Sequence, residues 1–302
     1  MIKSVKVTNH LGEFTTLELR RPESSGFFVR GGISGLGPAK ATINNTEIAS
    51  MDGSLHNSAR VNQRNIVFSL GFLVTPTIPT IEDARHLSYK YFPIKRRIGL
   101  EIETDVRICE TYGYVESNEP DIFSKEEGTT ISVICPDSYF YSVYKNVTLF
   151  NGSNPLFEFP FSNESLTDKL LVMSEITTNT EQSIYYTGDA PVGMMIFIHA
   201  IGNASNPRIF NTLTREEITI DTSRMPGGSI LEGDNIYIST TKGDKFIMLE
   251  RNGVLTNILN TLGMGISWFQ LEKGNNLFAY TASEGGSNLF FRIENRIAFE
   301  GI

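Results

Sequence analysis

Cysteine is almost missing from this chain: 302 residues contain two, Cys109 and Cys135. Both lie in apolar, strand-like runs (V-R-I-C-E and V-I-C-P), where a free thiol behaves as a small hydrophobe. A disulfide framework is not expected. Tryptophan occurs once, at Trp268, and the four histidines, His10, His56, His86 and His199, fall in different segments. With no H-x-x-x-H or Cys/His spacing, neither a structural zinc site nor a hydrolytic metal centre is expected. No segment approaches the ~20 apolar residues that cross a bilayer. The opening M-I-K-S-V-K-V-T-N has no apolar core or cleavage site of a signal peptide and reads as a first strand. Basic excess is lacking as well. The net charge of −8 argues against a general nucleic-acid binder but would let a nucleic acid pass without sticking.

What is present describes strands. Twenty Phe and eleven Tyr suit sheets that bury aromatic faces. Val5–Val7 and Leu17–Leu19 alternate around Asn9–Gly12, predicting an opening hairpin. Phe27–Val29 leads into a Gly-rich turn, Gly31–Pro38. Ala39–Ile48 reads as a strand followed by an Asp52-Gly53 turn. In Asn65–Phe72, the residues Ile66, Phe68 and Leu70 share a face. One helix is expected, Glu82–Phe92, with Thr80 as cap, Asp83 as the capping acid, an apolar stripe of Ile81, Ala84, Leu87 and Tyr91, and Pro93 as the stop. Arg96–Cys109 and Thr129–Cys135 read as strands. Beyond a polar, Gly/Pro-containing stretch at Tyr141–Pro155, short apolar runs separated by Gly, Asn and Asp turns describe a second all-strand region. Trp268–Leu271 is one of these runs. Length supports two domains, 1–148 and 149–302, with the last strand, Arg296–Ile302, belonging to either.

Two sets of residues carry a resemblance. One is the helix-plus-strand block Ile81–Thr104 together with I-C-P-D-S-Y-F-Y at Ile134–Tyr141. The other is an ordered carboxy-terminal string: T-G-D-A-P (Thr187–Pro191), I-G-N-A-S-N-P-R-I (Ile201–Ile209), E-E-I-T-I (Glu216–Ile220), E-G-D-N-I-Y-I-S-T (Glu232–Thr240), L-E-K-G-N-N-L-F-A-Y (Leu271–Tyr280) and F-E-G-I (Phe299–Ile302). In order and spacing these resemble the distal tail proteins of siphophage-type bacteriophages and prophages. The resemblance implies a mainly β fold: an amino-terminal split-barrel belt domain and a carboxy-terminal galectin-like or carbohydrate-module-like β-sandwich. It also implies a hexameric ring beneath the tail tube. The implied partners are the tube protein, the tail-tip protein and receptor-binding or baseplate proteins, with tape-measure protein and DNA passing through the channel. The expected location is the virion, after assembly in the host cytoplasm.

The residues themselves offer little chemistry. Gly31–Pro38 lacks the Gly-Lys-Ser/Thr of a phosphate loop, and Pro38 removes an N–H that would face a phosphate. Glu101, Glu103 and Asp105 alternate along a strand at a spacing a glycosidase pair permits, yet a half-buried strand must expose something polar there. No G-x-S-x-G elbow occurs. No catalytic residue, cofactor or metal ligand is therefore assigned. The candidate subunit-interface residues are Arg85, Tyr89, Lys95, Arg96, Arg97, Glu119 and Asp121, with the basic run set to pair with a neighbour's Glu116–Glu127 segment. A competing reading is a carbohydrate-binding module that presents Tyr185, Tyr186 and Trp268 to a sugar for host-surface adhesion.

Overall fold

A computed structural model describes residues 1–50, 52–155, 174–178, 180–263 and 265–302. The chain is mainly β. It forms two compact units, Met1–Tyr144 with Ala298–Ile302, and Lys145–Ile297.

The first unit contains β1 (Ile2–Thr8), β2 (Phe14–Glu18), β3 (Phe27–Ser34), β4 (Ala41–Glu47), β5 (Ser54–Val61), β6 (Arg64–Phe72), α1 (Ile81–Tyr91), β7 (Arg97–Thr104), β8 (Ile108–Pro120), β9 (Gly128–Cys135) and β10 (Phe140–Ser142). The second contains β11 (Asn146–Leu149), β12 (Asn151–Pro155), β13 (Ser174–Thr178), β14 (Glu181–Tyr186), β15 (Met194–Ala200), β16 (Arg208–Asn211), β17 (Glu217–Thr219), β18 (Asn235–Ser239), β19 (Phe246–Arg251), β20 (Val254–Asn257), β21 (Gly274–Thr281) and β22 (Leu289–Asn295). The final strand, β23 (Ala298–Phe299), returns to the first unit and pairs with β10.

Strands of the first unit run in the order β2-β1-β7-β8-β9-β6-β3. Period-2 alternation sends Val5 and Val7, Ile66, Phe68 and Leu70, Ile98, Leu100 and Ile102, and Ile131 and Val133 to a common core. The end strands β2 and β3 do not pair but line one cavity together, so the sheet closes as a barrel with an open seam. Thr80 caps α1 as expected: its hydroxyl accepts from Asp83 N (3.1 Å) and donates to the Asp83 carboxylate (2.6 Å). The buried stripe differs from expectation. Ile81 is exposed, while Ala84 and Ser88 are buried and Leu87 and Tyr91 pack against the core. Small side chains at Ala84 and Ser88 let the helix approach the sheet closely enough for Asn118 to donate to Ser88 O (3.3 Å).

Two expected elements are corrected. Arg96–Cys109 is two strands, because the Thr104 hydroxyl accepts from Val106 N and Arg107 N and turns the chain there. The glycine-rich run is not all turn: β3 continues to Ser34 through Gly31 (φ +64°) and Gly32 (φ +105°), where the register against β6 shifts.

In the second unit, the six-stranded sheet β11-β22-β15-β18-β19-β20 and the four-stranded sheet β14-β21-β16-β17 form a sandwich. Tyr280 of one sheet stacks on Phe291 of the other at 4.0 Å between centroids, with Phe150 edge-on to both. A salt bridge anchors one end. Asp234, 2% exposed, holds Arg251 through both carboxylate oxygens (2.8 and 2.6 Å). Leu231 N adds a third bond to that carboxylate (2.8 Å). Trp268–Leu271 is not a strand; Leu271 makes a single bridge to Val192.

Candidate assembly surface

The sequence-predicted interface residues lie on two elements. Arg85 and Tyr89 sit on α1, where Tyr89 is exposed beside His86. Lys95, Arg96 and Arg97 follow it, all exposed. Arg97 lies 4.3 Å above the ring of Tyr112, and Lys95 adopts φ +64° at the turn into β7. Glu119 and Asp121 belong to the end of β8 and the loop after it, and both are exposed.

The acidic loop is held within its own subunit. Asp121 pairs with Arg30 (3.7 Å) and Glu127 with Arg85 (3.8 Å). The Arg30 guanidinium also donates to Glu126 O (2.6 Å) and Glu127 O (3.0 Å). Arg85 is thus brought to the loop, whereas among the described residues no ion pair joins Lys95, Arg96 or Arg97 to it. Gly128 closes the loop because a Cβ there would stand 2.3 Å from Leu70 O. At the tip, Ile122 is 59% and Phe123 100% exposed, with Phe123 at φ +67°. Sequence reasoning missed Phe123 and Arg30. The available signal was an Ile-Phe pair set inside a charged turn.

A second exposed feature lies between β3 and β6. β4 and β5 form a hairpin detached from either sheet, and no residue of β5 is buried. Register places Ala41 opposite Val61 and Ile43 opposite Ala59, so one face carries four apolar side chains. Ile43 is 61% and Leu55 53% exposed.

At the hairpin's base Arg64 is buried, 2% exposed, and satisfied by carbonyls alone. It donates to Gly35 O (2.6 Å), Gly37 O, Ser138 O (2.7 Å) and Glu300 O (2.5 Å). Burial pushes its pKa down, with no consequence for a group that stays charged at any ordinary pH. Gly31–Ser34 is thus strand, and Gly35 and Gly37 beyond it give their carbonyls to Arg64, so the run is not a phosphate cradle. The three strand carboxylates have partners too: Glu101 with Lys6 (3.7 Å), Glu103 with Lys3 (3.6 Å) and Asp105 with the amino terminus (2.5 Å). That amino group holds the Asp105 carboxyl below its usual range.

The three aromatics of the carbohydrate reading separate. Tyr185 is 71% exposed, but Tyr186 is buried and donates to Ala190 O (2.9 Å), so Tyr186 cannot face a sugar. Neighbours on a strand point to opposite faces. Trp268 is half-buried, with Lys245 5.5 Å from its ring.

No protein-family description and no curated protein matches the sequence. Solved structures do. The Dit protein of phage SPP1, described as a paradigm of the hub of the adsorption apparatus in phages infecting Gram-positive bacteria, superposes with a TM-score of 0.67 at 11% identity. The match covers 98% of this chain and 100% of that one. The chain has the fold of the SPP1 Dit protein. The baseplate of phage P2 in its activated conformation with Ca is also similar, with a TM-score of 0.49 at 10% identity and 98% of each chain covered. At 98% coverage the match takes in residues of both units, barrel and sandwich.

Proposed function

We propose that this protein is a structural hub of a phage tail: copies close into a hexameric ring at the distal end of the tail tube and join it to the tip. The observation that carries the reading is the β4–β5 hairpin. A two-stranded hairpin is marginal in water by itself, and this one carries an exposed apolar face built from Ala41, Ile43, Ala59 and Val61. A second copy supplies a cover for it, and ring closure needs two different patches per subunit. The match to a hub protein along nearly the whole chain supports the same reading.

In this role the belt unit touches its own copies and the tube protein, while the sandwich receives tip, receptor-binding or baseplate proteins. Tape-measure protein and DNA traverse the hole, which a chain of net charge −8 favours over retention. The role is mechanical and calls for no catalysis. Negative-stain imaging of the purified protein, alone and mixed with the tube protein of the same virus, tests it. Six-fold annuli capping the tube are expected; single subunits under both conditions overturn it.

A further inference from the structure

Phe123 and the barrel seam are a knob and a hole. Seven residues after Glu116, the chain lifts a phenylalanine wholly into solvent with its backbone at φ +67°. A bulky residue in the left-handed region is strained, and such strain persists only where surrounding contacts impose it. Here those contacts are visible. Arg30 binds Asp121, Glu126 O and Glu127 O, the Ser124 hydroxyl donates to Asp121 O (3.1 Å) and Glu126 O (3.0 Å), and the Glu127 carboxylate accepts from Phe123 N (3.3 Å). The loop backbone that carries Phe123 is therefore already ordered, which lowers the backbone entropy lost on binding.

The hole lies where β2 and β3 fail to pair. It has a volume of about 210 Å3 and an apolar lining that includes Ile2, Val5, Leu17, Leu19, Val29 and Ile33. An apolar cavity of about 150 Å3 already accommodates benzene, so one phenyl ring fits. The adjoining groove shares Met1, Ile2, Lys3 and Leu19 with this cavity and adds exposed Arg20 and Arg21. Of its three carboxylates, Glu103 and Asp105 are engaged with Lys3 and the amino terminus, and Glu18 is the third, so two arginines face one further acid. Around the knob the balance is opposite in sign: the exposed charges of 116–127 are Glu116, Glu119, Asp121 and Glu126 against the single Lys125. The hairpin's flat apolar face suits a broad surface, whereas this cavity is sized for a single ring.

We propose that Phe123 of one copy inserts into the β2/β3 seam of the next, with Glu119 and Glu126 set against Arg20 and Arg21. The contact is heterologous, the type that closes rings. It rests on the self-association proposed above and names a contact within it.

The experiment uses the full chain with Leu19→Cys and Phe123→Cys together, under mild oxidation. The native thiols are buried and free, so they do not compete. A ladder of covalent oligomers is expected from the double variant, and heterodimers only from an equimolar mixture of the two single variants. In parallel, Phe123→Ala weakens self-association at least tenfold. Phe123→Gly relieves the backbone, raising the melting temperature while losing association equally. If wild type assembles but the double variant gives no ladder and Phe123→Ala assembles like wild type, this contact is wrong and the hub reading stands. If wild type never self-associates, with or without the tube protein, the hub reading fails first.

Discussion

The guanidinium of Arg64 lies 4.2 Å from the ring centroid of Phe140 and donates its N–H groups to a set of backbone carbonyls. The carbonyls come from the Gly35–Gly37 loop, from Ser138 and from Glu300, which is 236 residues away along the chain. One side chain thus ties three distant segments of the first unit together. Replacing it with Met keeps the stem but leaves several buried carbonyls unpaired, at about 1–3 kcal/mol each where water cannot reach. Arg64→Met should lower the urea midpoint of the first unit strongly and leave the second unit's transition in place, which two-probe denaturation will show. Arg64→Lys should fall between, because an ammonium cannot span the same fork.

Arg251 and Asp234 give the matching experiment in the sandwich. Arg251→Leu strands a carboxylate that is 2% exposed, with only Leu231 N left to it among these contacts. The expected loss is about 3–5 kcal/mol, while the double change Arg251→Leu with Asp234→Asn recovers part of it. A double-mutant cycle by chemical denaturation checks both.

Burial pushes the Cys135 thiol up to about 11, and Cys109 shifts in the same direction for the same reason. Neither should react with a thiol reagent in the native protein at pH 8, and both should react after unfolding. The sign for stability follows. Above the unfolded thiol pKa of ~8.5 the unfolded state loses its proton first, so stability falls as pH rises towards 11, by up to ~1.4 kcal/mol per pH unit from Cys135. Cys135→Ala should flatten that alkaline slope in a series of melts.

The hairpin separates assembly from folding. Ile43→Asp lies on an exposed strand and should change the melting temperature little, within about 0.5 kcal/mol. The same change buries a charge in the proposed ring contact. Light scattering should therefore report loss of the oligomer with the fold intact by circular dichroism.

Elements with one buried face could be read from the sequence. Ile66, Phe68 and Leu70 alternate and are all fully buried, and Thr80 with Asp83 marked the helix start. β5 could not be read, because Ser54–Val61 covers no core and so carries no periodic apolar signal. The break at Thr104 was hidden because side-chain bonds to two backbone amides, not a Gly or Pro, turn the chain. Ile81 matched helical spacing yet stays outside, since small residues at Ala84 and Ser88 decide which face meets the sheet. Among candidate surface residues, Tyr185 and Tyr186 were treated alike although strand geometry separates them. Arg64 offered no signal, because its partners are backbone atoms brought near only by the finished fold.

The return of Ala298–Phe299 to β10 makes the sandwich a cassette spliced into the barrel's sequence rather than appended to it. During synthesis the barrel's closing segment emerges after the cassette. The inserted cassette has its described strands before then and is free to fold first, while the barrel waits for Glu300 to reach Arg64. Cutting the chain after Ile297 would leave the cassette whole and the barrel unfinished.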